Sequence, residues 1–187
     1  MPIQPLDDLP MPTMTSDSAW PKEIYRVLKQ ARIRQASYVP DAGHAQLIDL
    51  LHADPEIQTT VLTTEEEGVA VAAGAWLGGE RAVLLLQSSG VGNCINMLSL
   101  ISICRFPLLM LVTMRGEWAE FNPWQVPMGS ATASALDLMG VKTIRVDTSE
   151  EVPDAVSAAA AMVFDTDQAM AVVLSQRLIG RKQWDAR

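Results

Sequence analysis

The chain has 187 residues, a formal net charge of −8 and 49% hydrophobic residues, of which few are aromatic. This length suits one sizeable domain, and the composition is typical of an α/β core built on Val, Leu, Ile and Ala. The acidic balance argues against general nucleic-acid binding, which needs a basic face, and an anionic ligand would have to meet local arginines.

Neither a secretory signal nor a membrane span is expected, because no charged segment precedes an apolar core at the N terminus. The most apolar segment, 101–114, is interrupted by Arg105 and Pro107 and is too short to cross a bilayer. Cys94 and Cys104 would lie ~15 Å apart on one predicted helix, too far for a disulfide. We interpret both as buried free thiols and expect a cytoplasmic protein.

Strands and helices alternate along the chain. Residues 1–18 carry four prolines and no period, which predicts a flexible arm; residues 19–180 form the domain, and 181–187 are a tail. The predicted helices and strands, in chain order, are helix 20–31, strand 36–39, helix 45–51, strand 59–63, helix 65–78, strand 82–87, helix 94–104, strand 107–113, helix 130–139, strand 143–146, helix 150–164 and strand 169–175.

This alternation predicts an α/β fold with a doubly wound, mainly parallel six-stranded sheet and helices on both faces. Ligands of such sheets bind outside the carboxyl ends of the strands. The loops that follow strands, at 40–44, 64–67, 87–93 and 114–128, are therefore the candidate site.

Three consecutive acids, Glu65, Glu66 and Glu67, open a helix of small apolar residues. Acidic residues in a first turn meet the positive end of the helix dipole, and Thr64 with Glu67 has the spacing of a capping box, with Glu67 reaching back to the Thr64 N–H. Capping leaves Glu65 and Glu66 unexplained. The helix is apolar all round, so one face should meet the sheet and the other another subunit. A carboxylate between the helix and that other subunit would be desolvated and suited to acid–base chemistry.

In two of the loops, the sequence allows either a structural or a functional interpretation of the polar residues. Asp41 is either a turn aspartate or a site residue, and His44 is either structural or a proton carrier or substrate contact. The sequence 88–93 is either a tight glycine-rich turn or a ligand loop, and it lacks the third glycine of a dinucleotide fingerprint.

The longest loop combines charges with aromatic residues. Arg115 could hold a sulfonate or phosphonate bidentately, or it could form an ion pair with Glu117. Trp118, Phe121 and Trp124 are three aromatics in seven residues, and they could form a lid or a subunit contact.

Taken together, the motifs E-E-E-G-V-A-V-A-A-G-A-W, A-V-L-L-L-Q and S-S-G-V-G-N at 65–76, 82–87 and 88–93 resemble the pyrimidine-binding domain of thiamine diphosphate-dependent decarboxylases. V-P-D at 39–41 and M-R-G-E at 114–117 resemble the branch of sulfopyruvate decarboxylase α subunits and phosphonopyruvate decarboxylases. The resemblance covers about residues 20 to 180.

The resemblance implies a role for several residues. Counting nine residues back from Gly74 identifies Glu65 as the glutamate that hydrogen-bonds the aminopyrimidine ring of the cofactor and promotes its activation for decarboxylation of a 2-oxo acid. Ser89, Gly90 and Asn93 would run beside that ring. Asp41 would face the reacting carbon.

The resemblance also implies a second chain. Members of the family bind the diphosphate through Mg²⁺ in another domain marked by G-D-G and a downstream N-N, and neither motif occurs here. We expect a β subunit to supply the diphosphate and metal ligands in an α/β hetero-oligomer, with no metal ligand in this chain. The alternatives are a non-catalytic scaffold or regulatory subunit with the same fold, and a doubly wound domain that binds a nucleotide at 88–93.

Overall fold

The computed structural model describes residues 19–180, so the predicted arm at 1–18 and the tail at 181–187 lie outside the described residues. The described part contains a six-stranded sheet in the order β2-β1-β3-β4-β6-β5, with every neighbouring pair parallel. The predicted doubly wound sheet is confirmed. Within residues 19–180, no helix combines the length and apolar character that a membrane crossing requires.

The chain order of the elements is α1 (Trp20–Gln30), β1 (Ile33–Tyr38), α2 (Ala45–His52), β2 (Gln58–Val61), α3 (Glu65–Leu77), β3 (Arg81–Gln87), α4 (Ser88–Cys94), α5 (Ser99–Cys104), β4 (Leu108–Thr113), α6 (Val126–Leu138), β5 (Lys142–Val146), α7 (Val152–Thr166), β6 (Ala169–Leu174) and α8 (Gln176–Ile179). Short 3-10 turns precede α2 and α6.

The sheet separates two apolar layers. One lies against α1, α2 and α7, and the other against α3, α4 and α6. Successive side chains of β3 lie alternately in the two layers, with Val83 and Leu85 in the first and Leu84 and Leu86 in the second. Strands β3, β4 and β6 are covered on both sides, which is why they read as unbroken apolar runs.

Helix α3 lies close to the sheet because Gly68 faces it. A Cβ at Gly68 would stand 2.3 Å from a methyl carbon of Leu84 and 2.9 Å from one of Leu62. The outer side of the same helix is open, since a Cβ at Gly74 would meet nothing within 4 Å. Leu77, at the end of α3, is 87% exposed.

The region after β3 differs from the prediction in two ways. Ser88–Asn93 is the beginning of α4 rather than a tight loop, although it contains two glycines, because packing against α3 and α6 outweighs their low helix propensity. The predicted single helix from Cys94 to Cys104 is two helices, since α4 ends at Cys94 and α5 begins at Ser99.

The two cysteines consequently lie in different environments. Cys94 is buried, whereas Cys104 is exposed, so the expectation of two buried thiols holds for Cys94 alone. Burial, and after it the nearby charges of Glu65 and Glu66, raise the pKa of the Cys94 thiol to about 12. It is therefore a neutral, unreactive thiol at physiological pH.

The remaining differences concern element ends. Helix α6 begins at Val126 instead of residue 130, with Pro127 in its first turn, where a missing N–H costs no hydrogen bond. The short helix α8 was not predicted; Ser175 caps it by accepting from the Leu178 N–H.

The two glycines of α3 provide a matched pair of substitutions. Gly68→Ala should lower the free energy of unfolding by about 1–3 kcal/mol, because the new methyl group overpacks against Leu84. Gly74→Ala should raise it by about 0.5–1 kcal/mol, because it removes backbone freedom on an open helix face. Urea unfolding of both variants measures the difference. Equal effects at the two positions would contradict the packing described for α3.

Candidate active site

The candidate site lies where the sheet changes winding direction. After β1 the chain passes to α2 on one face, and after the neighbouring β3 it passes to α4 on the other. This arrangement leaves a crevice at the carboxyl ends of β1 and β3, the usual ligand position in doubly wound sheets. The turn at 40–44 meets the entry to α4 at this edge, where Gln87 Nε2 donates to Asp41 Oδ1.

Glu65 lies at the first turn of α3 and is only 9% exposed. Its Oε2 accepts a hydrogen bond of 2.8 Å from Asn93 Nδ2 on α4. A Cβ on Gly90 would stand 2.5 Å from Glu65 Cγ, Cδ and Oε1, so no larger residue fits without displacing the carboxylate. Among residues 19–180, no group donates a hydrogen bond to Oε1, and this oxygen remains able to accept one.

The neighbouring acids behave differently from Glu65. The predicted cap by Glu67 is wrong: its Oε2 accepts from the Thr63 N–H at 2.8 Å, one residue before the N-cap residue Thr64. The Thr64 side chain makes no capping hydrogen bond, so the capping box is not formed. The physical reason is that the backbone of Thr64 is extended, so the N–H of Thr63 faces the Glu67 carboxylate. Glu66 is partly exposed.

Asp41 is held at the ends of β3 and β4. Its Oδ1 accepts from Gln87 Nε2 at 3.0 Å, and its Oδ2 accepts from Thr113 Oγ1 at 2.7 Å and from the Gly43 N–H at 3.1 Å. Ser89 Oγ in turn donates to Gln87 Oε1 at 2.9 Å. Asp41 therefore caps the 3-10 turn, as expected for a turn aspartate, and also belongs to a polar network that includes a predicted site residue, Ser89.

His44 lies behind this network and is only 1% exposed. Its Nε2 lies 3.1 Å from the Leu111 carbonyl oxygen, and its buried Nδ1 has no hydrogen-bond partner among the described residues. Burial lowers the pKa of His44 below its usual 6.5, although the charge of Asp41 and the carbonyls of Leu111 and Leu86 act in the opposite direction. The imidazole is therefore neutral, with Nε2 as the donor.

Arg115 and Glu117 lie in the loop after β4, but they do not pair with each other. Arg115 Nε and Nη2 donate to the two oxygens of Glu120, at 2.8 and 2.7 Å. Glu117 instead accepts from both terminal nitrogens of Arg145, at 2.8 and 2.9 Å. The ion pair considered from the sequence is wrong, because each partner has a better-placed opposite charge.

Glu120 fixes this loop. It also accepts from the backbone N–H groups of Gly116 and Asn122 and from Gln176 Nε2. Burial alone would raise the pKa of Glu120, but the hydrogen bonds, first that from Arg115, lower it to about 2. In the same segment between β4 and α6, Phe121 is about half exposed and Trp124 is 84% exposed.

Sequence reasoning singled out none of four polar residues of this region, Gln87, Thr113, Glu120 and Gln176, although Gln87 and Glu120 lie in the candidate loops. Gln87 and Thr113 could have been found, because each is the polar last residue after an apolar run, at the carboxyl end of a buried strand. Nothing in the local sequence marks Glu120 or Gln176. Within the part of the chain that the structure describes, no three His, Cys, Asp or Glu side chains are grouped so that they could hold a metal ion.

Comparisons with known proteins agree with this geometry. Residues 22–121 match the family described as "Thiamine pyrophosphate enzyme, N-terminal TPP binding domain". The chain is 36% identical over 152 residues to the sulfopyruvate decarboxylase subunit alpha of Methanothermobacter thermautotrophicus, covering 81% of this chain and 92% of that subunit. The corresponding subunit of Methanococcus maripaludis is 30% identical over 81% of this chain and 91% of its own length.

Longer proteins are similar over part of their length. The phosphonopyruvate decarboxylase of Streptomyces viridochromogenes is 34% identical over 75% of this chain, which spans only 36% of that enzyme. A solved structure, that of 2-oxoglutarate:ferredoxin oxidoreductase from Magnetococcus marinus, superposes with a TM-score of 0.64 over 90% of this chain and 34% of that one. Its sequence identity of 12% means that it supports the fold alone.

The buried His44 predicts a specific acid sensitivity. Because its pKa is lowered in the folded chain, the unfolded chain binds a proton more readily below pH 6.5, and stability falls as the pH drops. His44→Gln should flatten the decline in unfolding free energy between pH 6.5 and 5, measured by urea titrations at each pH. The exposed Gln58 gives a control without a titratable group, since Gln58→Ala should leave the slope in place. An unchanged slope in the His44 variant would refute the prediction.

Glu120 predicts a second effect on stability. Glu120→Gln should lower the free energy of unfolding at pH 7 by about 1–3 kcal/mol, because it leaves Arg115 without its charge partner. The contribution of Glu120 is present above its ordinary pKa of 4.5 and is lost as the pH falls towards 2. Glu150→Gln, at an exposed glutamate, is the control and should be neutral in the same thermal and urea unfolding measurements.

Proposed function

Since the chain belongs to the thiamine diphosphate-dependent decarboxylases, in the family of the sulfopyruvate decarboxylase alpha subunits, we propose that it is the pyrimidine-binding subunit of a heteromeric 2-oxo acid decarboxylase with a sulfopyruvate-like substrate. The observation that carries the proposal is the buried carboxylate of Glu65. It lies at the first turn of α3, held by Asn93 on one oxygen and able to accept a hydrogen bond on the other.

The residues around Glu65 fit an aminopyrimidine ring. A buried carboxyl group without a second partner suits a ring nitrogen, which would give or take a proton at Oε1. Asn93 orients that carboxyl group, and the missing side chain of Gly90 makes room for it. Thiamine diphosphate, when bound, supplies the electron sink for loss of carbon dioxide. In this proposal Glu65, Ser89, Gly90 and Asn93 are the cofactor-binding residues of this chain.

Asp41 and His44 are proposed to act on the substrate side. Asp41 caps the turn at the carboxyl end of β1, which suits a carboxylate near the reacting carbon. His44 enters the proposal as a positioning residue. Its Nε2–H anchors the 42–44 turn to β4 through the Leu111 carbonyl, and its burial keeps it from solvent.

Arg115 and Glu117 are the proposed substrate-binding residues at the end of β4. The two hydrogen bonds to Glu120 use two of the five N–H groups of Arg115, so three remain for an acidic head group. Glu117 is tied to Arg145 and to the Gln176 N–H, and it would shape the loop around the head group.

A β subunit is proposed as the partner, because the similar archaeal chains are named as alpha subunits. It would bring the diphosphate and Mg²⁺ ligands. The helical layer over α3 and α6 supports such a partner, since Leu77 and Leu138 at its surface are 87% and 82% exposed. Apolar side chains in such positions favour contact with another protein.

The test is reconstitution with a β-type chain that carries the diphosphate-binding domain. Decarboxylation of sulfopyruvate, followed by release of carbon dioxide, should require both chains. Glu65→Gln should lower kcat by at least about 100-fold, because a proton exchange at Oε1 is lost, while the complex still assembles in analytical ultracentrifugation.

Glu66→Gln is the matched control, at a neighbouring glutamate that lies outside the proposed machinery, and it should retain activity. Full activity of Glu65→Gln would contradict the proposed mechanism. It would favour instead a non-catalytic scaffold or regulatory subunit that kept the fold.

A further inference from the structure

We propose that Gln87 and Thr113 are positioning residues that hold Asp41 as a fixed negative charge, so that Asp41 acts on the substrate electrostatically and not as a proton carrier. This inference rests on the proposed function, because it assigns to Asp41 a particular way of acting at that site. Neither Gln87 nor Thr113 emerged from the sequence as a site residue.

The first argument is the set of groups around the carboxylate. Asp41 Oδ1 faces the amide nitrogen of Gln87, while Oδ2 faces the Thr113 hydroxyl and the Gly43 N–H. Three groups reach it: the Gln87 amide and the Gly43 N–H can only donate, whereas the Thr113 hydroxyl, which also lies 3.4 Å from the Leu86 carbonyl oxygen, can donate or accept. Such an arrangement matches an ionised carboxylate, which only accepts hydrogen bonds.

The second argument is that the Gln87 amide is held at both ends, by Ser89 and by the carboxylate of Asp41, which can only accept. The Ser89 hydroxyl lies 2.9 Å from Gln87 Oε1, and a hydroxyl can donate to that oxygen. The Nε2 donor is then directed at Asp41. With the amide reversed, its carbonyl oxygen would face a carboxylate oxygen, and two acceptors would repel each other.

The third argument is rigidity. Gln87 and Thr113 are register partners at the ends of the adjacent strands β3 and β4, so the sheet fixes the spacing of their side chains. Thr113 is buried, and a Cβ on Gly43 would stand 2.9 Å from both Asp41 Oδ2 and Thr113 Cγ2. Asp41 belongs to a loop, but two core strands determine where its charge lies.

Gln87 and Thr113 together form what we call the Asp41 clamp. The test compares variants of these two residues in the assembled enzyme. Gln87→Met and Thr113→Val should each lower kcat about 10- to 100-fold with KM changed less than about two-fold, because the charge is misplaced and substrate binding is spared. Thr113→Ser, which retains the hydroxyl, should restore most of the activity. Thr60→Val, on the edge strand β2, is the control. Wild-type kcat in Gln87→Met and Thr113→Val would overturn the proposal.

A charge variant gives a readout that a purely structural role would not move. Gln87→Glu places a second carboxyl group against Asp41, and the two can share a hydrogen bond only when one is protonated. The activity of this variant relative to wild type should therefore rise as the pH falls from 8 to 5. Gln58→Glu, at an exposed position at the start of β2, should keep the wild-type pH profile. A wild-type profile for Gln87→Glu would overturn the proposal.

A third measurement does not depend on decarboxylation. In NMR spectra of the full chain, the Gln87 side-chain amide resonances, assigned by their loss in Gln87→Glu, should shift in Asp41→Asn. Unchanged resonances would overturn the proposal that Gln87 holds Asp41. Loss of activity in Glu65→Gln tests the proposed function separately, so a failure of one can be told from a failure of the other.

Discussion

The carboxylate of Glu65 occupies the space into which Gly90 would project a side chain if it had one. This contact joins α3, which follows β2, to α4, which follows β3, and Asn93 completes it with a hydrogen bond. Charge is costly away from water, so a buried carboxylate needs such a partner. The close approach of the two helices therefore sets the position of the carboxylate, and a loop in place of α4 would not hold it there.

A second constraint comes from the sheet. All six strands are parallel, so every strand ends at the same edge, and the polar ends of β3 and β4 lie side by side under Asp41. The two proposed reactive carboxylates are thus fixed by different means. Helix packing holds Glu65, and strand register holds Asp41. The loop after β4 has its own support, which Glu120 and Gln176 supply together.

Regular patterns in the sequence were enough to predict the sheet, because buried parallel strands such as Leu108–Thr113 are continuous apolar runs. The prediction failed where tertiary contacts decide. Glycines in 88–93 indicated a loop, but packing makes that stretch a helix. Arg115 and Glu117 are close in sequence, yet Glu117 binds Arg145, 28 residues away. No local pattern contains such a pairing, and the same holds for Gln176 with Glu120.

The open outer side of α3 has a consequence for the life of the chain in a cell. Leu77 on that helix and Leu138 on α6 remain in water in the single chain. Chains made in excess of their proposed partner expose apolar surface, which chaperones, proteases and other copies of the chain can bind. Balanced synthesis of the chain and its proposed partner would then matter as much for the yield of intact protein as the intrinsic stability of the fold.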